Sequence, residues 1–470
     1  MATVSKNIFW STLTSALQLY TGSVVFIVLA KLMPVHDFGI LSFGFSLSAL
    51  AVIVADFGFS LMVMKDYPQQ ASGHAEYISN SIWAKMLLAI ISTVLFGTYL
   101  VFFYEGEWLK VGALYVVFAV VFSFIIYLQA LLKILNRFHK FTESTVVYAV
   151  AVTIAIVFYW QFPTTLVQLV FYLLLAKVAQ LLWTVYLSMD SLSEFSYDAK
   201  MVSGLLKNSW SFGLHTILGV FYFMIDTQII SLYLGATEVA LYQSVFRIVL
   251  ILLIFSDIVS SVLLPYLSFK YYKRENISEL VSKIFLYLLI IGCSLFLLFT
   301  SFKSQILEIL YTPEYQEAAI LVLPFSIVVI LRTVSVLLGN LLTISNRQVY
   351  RVITVCCSLV VSVVLNLIFI PKYGIWAAAW ISVLVHLILF GMYLMYSKME
   401  VPEMRLFGAS SLILAFVTMA IYAVIHHLGD GSLWAVAVGV VLWLGVVLCI
   451  MKNGNNFRFL QQVLREKGVG

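Results

Sequence analysis

The protein has 470 residues, of which 63% are hydrophobic and only 10% are charged. Because a soluble domain carries about 25% charged residues, this chain cannot cover a water-facing surface, and the composition excludes a soluble enzyme. At about 20 apolar residues per spanning helix, the chain provides about fourteen helices and leaves no room for a sizeable extramembrane domain. The net charge of +5 is too small to indicate a nucleic-acid partner.

Long uncharged stretches predict an all-α polytopic membrane protein of about fourteen transmembrane helices. The first stretch follows a single lysine and has no small-residue cleavage site, so we expect a retained span and not a signal peptide. In chain order the predicted spans are residues 11–30, 38–63, 82–104, 111–132, 143–161, 164–187, 210–234, 239–266, 283–302, 316–343, 352–370, 374–396, 405–426 and 432–450.

The basic residues predict the orientation of these spans, since cytoplasmic connections retain lysine and arginine. One alternate set of connections holds 20 of the 27 basic residues, including Lys65 and Lys85 between the second and third spans. The opposite set holds only Lys31, Lys110 and Lys303 with Lys372. We therefore predict that both termini are cytoplasmic.

The two halves of the chain resemble each other. An offset of 201 aligns Asp56 with Asp257, and an offset of 210 aligns residues 131–140 with residues 341–350. Duplication of a six-helix unit would give two copies of the same orientation, related by a pseudo-two-fold axis along the membrane normal. The predicted parts are a six-helix lobe at 1–189, a cytoplasmic linker at 190–207, a second lobe at 208–397, two additional helices at 398–452, and a cytoplasmic amphipathic tail at 453–470.

Charges inside spans are costly and usually face a protein interior or a water-filled cavity, so each is a functional candidate. Asp226 and Arg247 lie at similar depth on consecutive antiparallel spans and could form an ion pair. Asp257 is ten residues after Arg247, so both can face one cavity. The full set of candidates is Asp56, Lys177, Asp226, Arg247, Asp257 and Arg332.

Two interpretations of these charges stay open. In the first, Asp226 and Arg247 only fix helix register and Lys177 extends toward a lipid headgroup. In the second, Arg247, Arg332 and Lys177 bind an anionic substrate such as a pyrophosphate. Asp226, Asp257 or Asp56 would then bind a coupling cation, Na⁺ or H⁺. His215 and His386, also within spans, could carry protons or make interhelical hydrogen bonds.

Absent motifs narrow the chemistry further. The chain has no phosphate-binding loop of the G-x-x-x-x-G-K-[ST] type, so we expect no ATP hydrolysis and no cofactor. His426 and His427 lack further ligands in the sequence around them, and we predict no metal site. The four cysteines lie in apolar runs and are expected to pack as small apolar residues.

Three strings carry a family resemblance: NIFWSTLTSALQLYTGSVVFIVLAKLMPVHDFGILSFGFSLSALAVIVADFG (7–58), ILEILYTPEYQEAAILVLPF (306–325) and NLIFIPKYGIWAAAW (366–380). They resemble the polysaccharide or O-antigen flippases of the multidrug, oligosaccharidyl-lipid and polysaccharide exporter superfamily. The resemblance implies two six-helix bundles around a central cavity. We expect the motifs themselves to form structural turns.

The resemblance also implies a function. Such proteins move undecaprenyl-pyrophosphate-linked oligosaccharide units from the inner to the outer leaflet of the bacterial cytoplasmic membrane, so the expected partners are that lipid-linked substrate, membrane lipids, a polysaccharide polymerase and a chain-length regulator. The alternatives are a cation-coupled drug exporter, a lipid II flippase, or a membrane polymerase or glycosyltransferase. A cavity with Arg247, Arg332 and Lys177 disfavours cationic drugs, and the outer connection 302–315 is too short for an enzyme site.

Overall fold

The computed structural model describes residues 2–67, 74–162, 164–191, 196–428 and 433–453, and these form helices without a β-strand. The predicted tail 454–470 lies outside the described residues. The helices are α1 (Ala2–Leu19), α2 (Val25–Leu32), α3 (Val35–Asp56), α4 (Phe59–Asp66), α5 (His74–Phe103), α6 (Gly106–Ile134), α7 (Phe138–Gln161), α8 (Leu166–Ser188), α9 (Ala199–Tyr233), α10 (Ala236–Tyr272), α11 (Ser278–Ser301), α12 (Lys303–Leu310), α13 (Val322–Ile344), α14 (Gln348–Glu400), α15 (Ala409–His427) and α16 (Leu433–Asn453).

The all-α membrane architecture predicted from composition is confirmed. Within the described residues, eleven helical segments are long and apolar enough to cross a membrane, and Val436–Ile450 is a shorter apolar helix. One of the eleven, Gln348–Glu400, covers two predicted spans. Each predicted span overlaps helical residues, and span 38–63 is divided between α3 and α4. The count of fourteen is not confirmed by length and hydropathy alone.

The strings that carried the resemblance contain the helix breaks. Pro34 separates α2 from α3, with Met33 before it in the extended conformation that a following proline favours. Phe57 and Gly58 both adopt left-handed backbone angles between α3 and α4. Gly374, with φ +67° and ψ −157°, interrupts α14 three residues after Pro371. A left-handed position favours glycine, so the motif glycines mark chain turns, as expected.

The chain divides into two compact units. The first unit contains Met1–Ser244 and Val363–Ile375, and the second contains Val245–Ser362 and Trp376–Gly470. In the first unit α3 lies at the centre and packs on α5, α6 and α9. Close packing requires small residues there: a Cβ added at Gly39 would lie 1.9 Å from the carbonyl oxygen of Ala236. The predicted boundaries at residues 189, 207 and 397 stay predictions.

In the second unit α11 is the central helix and packs on α13 and α15, while α15 pairs with α16. Its core is built from leucine, valine, isoleucine and phenylalanine side chains of α11 and α13, for example Phe296 and Leu338. Trp443 on α16 joins this core and donates its indole N–H to Ser294 at 3.0 Å. The two C-terminal helices therefore pack onto this unit as an addition to its α11–α13 core.

The internal repeat is visible as duplicated local geometry. After residues 131–135 and 341–345 the chain makes the same turn, with Asn136 and Asn346 both left-handed. In each copy the following arginine donates its backbone N–H to the carbonyl oxygen five residues earlier, at 2.8 Å. These bonds, from Arg137 and from Arg347, are those of a Schellman motif. The side chain of Arg137 then pairs with Asp190, and that of Arg347 with Glu400, both 53 residues ahead. The aligned strings therefore reflect duplicated structure at an offset of 210.

Candidate functional site

Asp226 is the predicted site residue with the best-defined surroundings. It lies on α9, is 5% exposed, and accepts hydrogen bonds from the Tyr242 hydroxyl at 2.9 Å and the Asn366 amide at 2.7 Å. Thr227 beside it accepts a hydrogen bond from Gln243 at 2.5 Å. Two neutral donors thus hold the carboxylate in one orientation and favour its charged form.

Asn366 was missed as a site residue by sequence reasoning. It begins the string NLIFIPKYG, which carried the family resemblance, and its side chain is fully buried against Asp226 within the first unit. A buried amide in an apolar span is expensive unless it is hydrogen-bonded, and that cost was the available signal. Tyr242 was missed for a different reason, because tyrosine is common in membrane-protein sequences without a polar role.

Asp56 forms an ion pair with Lys85 inside the first unit. The Lys85 ammonium contacts its carboxylate and also donates to the Ala55 carbonyl at 3.2 Å, while the Ser60 hydroxyl donates to Asp56 at 2.5 Å. Lys85 is 0% exposed. The prediction that Lys85 belongs to a cytoplasmic connection is wrong: it lies inside α5, because the buried carboxylate compensates its charge. A coupling cation at Asp56 would have to compete with this resident ammonium.

Arg247 and Arg332 belong to the second unit, on two helices that run in the same direction. The Phe246 and Phe325 rings lie 5.9 Å apart, and further along the same helices the Ser256 and Thr333 hydroxyls are 2.7 Å apart. These contacts place the two arginines six to eight residues apart in depth, up to roughly 12 Å at 1.5 Å per residue. The two arginines therefore place positive charges at two different depths along α10 and α13.

The surroundings of the two arginines differ. Arg247 is buried and lies close enough to Tyr311, at the end of α12, to act on it electrostatically. Burial raises the pKa of the Tyr311 hydroxyl, and the nearby guanidinium opposes that shift. Arg332 is half-buried and lies close enough to His386 to act on it electrostatically. One ring nitrogen of His386 lies 2.8 Å from the Ser382 carbonyl oxygen.

Lys177 lies in the interior of the first unit, between α6, α7 and α8. Its ammonium donates to Gln180 at 3.0 Å and faces the rings of Tyr148 and Phe122 at 3.4 and 4.2 Å. It is 4% exposed. This environment is a set of aromatic faces, and binding of a headgroup by Lys177 stays a prediction.

The structure does not test the remaining predicted contacts. Asp226 and Arg247 belong to different units, each described by itself, so their ion pair stays a prediction. Asp257 lies on α10 and His215 on α9, but both side chains are outside the described part of the chain. In that part, no group of three His, Cys, Asp or Glu residues could hold a metal ion.

Comparison with known proteins agrees with this architecture. Residues 4–271 match the family model described as "Polysaccharide biosynthesis protein". A relative from Haloferax volcanii, described as "Probable low-salt glycan biosynthesis flippase Agl15", is 27% identical over 213 residues, which cover 45% of each chain. The match thus spans less than half the length of that relative.

Solved structures share the fold at low sequence identity. A lipid II flippase, MurJ, in an inward closed conformation matches with a TM-score of 0.76 and 12% identity, covering 95% of this chain and 99% of that one. An inward-facing multidrug resistance MATE transporter of the MOP superfamily matches with a TM-score of 0.66 and 13% identity, covering 84% and 98%. With the family match over more than half its length, the chain belongs to the polysaccharide biosynthesis protein family and has the fold of these transporters.

Proposed function

We propose that this protein is a flippase for lipid-linked oligosaccharides, taking undecaprenyl-pyrophosphate-linked repeat units from the inner to the outer leaflet of the bacterial cytoplasmic membrane. The observation that carries the proposal is the pair of arginines inside the apolar helices α10 and α13 of a polysaccharide biosynthesis family member. A permanent cation in a span is costly, and an anionic ligand is a physical reason to keep it there.

The chemistry of the cargo fits these residues. A pyrophosphate with sugars cannot cross hydrocarbon unaided, whereas the polyprenyl tail can remain in lipid. Guanidinium groups bind phosphate oxygens by two parallel hydrogen bonds, so we assign Arg247 and Arg332 to the headgroup. Their separation of up to roughly 12 Å in depth would let the anionic group pass from one to the other during translocation.

Transport would follow alternating access, driven by an ion gradient or by removal of product on the far side. Asp226, held by Tyr242 and Asn366, is our first candidate for a coupling carboxylate. A cation bound there promotes switching only if its affinity differs between the two conformations. The orientation that we propose, with both termini cytoplasmic, follows from the basic residues of the connections.

The proposal can be tested with purified protein in vesicles that contain undecaprenyl-pyrophosphate-linked N-acetylglucosamine. A water-soluble galactosyltransferase added outside modifies only lipid in the outer leaflet, so labelling beyond the initially exposed half measures translocation. We expect rapid labelling of the whole pool with the protein and of half without it. Labelling that stops at half would contradict the proposed function, and efflux of a cationic dye instead would favour a drug exporter.

Arg247→Ala and Arg332→Ala should each slow translocation about 10- to 100-fold, because a hydrogen bond to a charged group contributes about 1.5–3 kcal/mol. Arg405→Ala is the matched control, since Arg405 is exposed outside the spans. Reconstituted amounts should be equal for all variants. If both arginine variants translocate the probe at the wild-type rate, these arginines do not bind the headgroup.

A further inference from the structure

Lys177 is enclosed by aromatic faces in the interior of the first unit. Its Nζ atom lies 3.4 Å from the centre of the Tyr148 ring, 4.2 Å from that of Phe122 and 5.4 Å from that of Phe118. Its ammonium donates a hydrogen bond to the Gln180 amide oxygen at 3.0 Å. Two rings come from α6 and one from α7, so the cage closes only when the three helices pack.

The balance of forces on this ammonium is unusual. Burial of a charge without a counter-ion penalises it, whereas cation–π attraction and the Gln180 carbonyl favour it. Among the described residues, no carboxylate pairs with Lys177, and no charged group on α3, α6 or α7 exerts a marked electrostatic effect on it. The titratable group that faces it is Tyr148. Opposed contributions of this kind allow an amine to hold or to release a proton.

A column of polar groups leads from Lys177 along one face of α8. Gln180 donates to the Ser144 hydroxyl at 3.5 Å, and Ser144 shares a hydrogen bond of 2.6 Å with Thr184. One helical turn further, the Lys140 ammonium donates to the Leu187 carbonyl at 3.2 Å, beside the exposed end of the helix. The column spans roughly 15 Å at 1.5 Å per residue between Lys177 and Leu187. It therefore reaches the end of α8 that the basic residues assign to the cytoplasm.

The second copy of the repeat carries different residues at the same level. At the offset of 210, Phe122 corresponds to Arg332, and Lys177 falls one residue from the position of His386. His386 is also buried and titratable, but a permanent cation stands near it. The repeat thus keeps a buried basic side chain within one residue of the same repeat position in both copies, and in the first copy aromatic rings surround it.

We propose that Lys177 is a proton-binding site that couples transport to a proton gradient. The step is one proton transfer: the Nζ–H bond of the ammonium breaks, the proton passes to water at the cytoplasmic end of the column, and the neutral amine is reprotonated in the other conformation. The coupling role rests on the function proposed above. Proton binding itself does not, and the two can be tested separately.

The proton-binding test uses the full-length protein in lipid nanodiscs with ¹³C at the lysine ε-carbons, whose resonance reports the protonation of the amine. The Lys177 signal is identified by its loss in Lys177→Arg. We expect it to change with pH over the range in which the protein stays folded. Lys133, half-buried and 4.1 Å from the Phe141 ring, is the matched control for an aromatic contact near the helix end. A Lys177 signal that stays that of an ammonium over this range would overturn the proposal.

The coupling test uses two variants that separate charge from proton exchange. Lys177→Arg keeps a permanent cation, whereas Lys177→Met keeps the length without a charge. In vesicles with the N-acetylglucosamine probe, we expect a pH gradient to stimulate translocation by the wild-type protein. The translocation rate of each variant should change less than twofold when the same gradient is applied. Stimulation retained in Lys177→Arg would show a fixed-charge role and would overturn the proposal, as would a wild-type rate that ignores the gradient.

The nanodisc titration and the vesicle assay together also distinguish failure of the proposed function from failure of the proton-binding proposal. A wild-type protein that does not translocate the probe at all contradicts the proposed function, while the nanodisc titration still decides whether Lys177 exchanges a proton. Variants that do not elute as the wild type on size exclusion are set aside, and the titration of the wild-type protein then carries the test. Lys133→Arg should behave as the wild type in both arms.

Discussion

Removal of Lys85, which lies within α5, should destabilise the protein strongly. The ammonium is fully buried, contacts the Asp56 carboxylate and donates to the Ala55 carbonyl. Lys85→Met leaves a buried carboxylate that still accepts a hydrogen bond from the Ser60 hydroxyl. Breaking a buried pair from one side costs about 3–5 kcal/mol, so the equilibrium ratio of folded to unfolded protein should fall about a hundredfold or more.

The size of the effect should depend on which partner remains. The double variant Asp56→Asn/Lys85→Met removes both charges and keeps an acceptor for Ser60, so it should recover at least half of the loss. The coupling free energy from the double-mutant cycle should exceed about 1 kcal/mol, because the two groups are in contact. Equilibrium unfolding in mixed micelles of increasing SDS content measures all four proteins.

A matched control separates burial from the loss of a lysine. Lys110 lies exposed near the start of α6, so Lys110→Met should change the free energy of unfolding by less than about 0.5 kcal/mol. If Lys85→Met behaves like this control, the buried pair contributes nothing and the reasoning is refuted. Simple additivity of the two single changes would refute it as well.

Two further predictions concern close contacts in the first unit. Gly39→Ala should lower the free energy of unfolding by more than about 1 kcal/mol, since its Cβ would lie 1.9 Å from the carbonyl oxygen of Ala236 and the helices must separate. Gly97→Ala, with no heavy atom within 4 Å of the added Cβ, should be neutral or stabilising in the same micelle titration. Asn366→Leu, which removes the amide that holds Asp226, should cost about 1–3 kcal/mol and alter the response of probe translocation to Na⁺ and pH gradients. An unchanged response would remove Asp226 with Asn366 from the coupling site.

Some features of the site could be predicted and others could not. Asp226, Arg247 and Lys177 stand out in the sequence because a charge in an apolar span is rare and costly. Their partners do not stand out: Tyr242, Asn366 and Gln180 are ordinary polar residues whose roles depend on which helices meet. Lys85 was misplaced because charge counting treats every lysine near a span end as exposed, and its carboxylate partner lies 29 residues earlier on another helix.

The sequence by itself determined the solvent, the helical architecture, the duplicated halves and the helix breaks at Pro34 and Gly374, whereas the break at Gly58 falls inside the predicted span 38–63. These properties depend on local rules: hydrocarbon requires internally hydrogen-bonded helices, and left-handed or pre-proline backbone has few compatible residues. Only the tertiary structure decided that Asp56 is neutralised by Lys85 and that Lys177 lies among aromatic rings. Which charged residues become partners depends on which helices pack together, often between residues far apart in the sequence. The sequence shows the charges but not the distances between them.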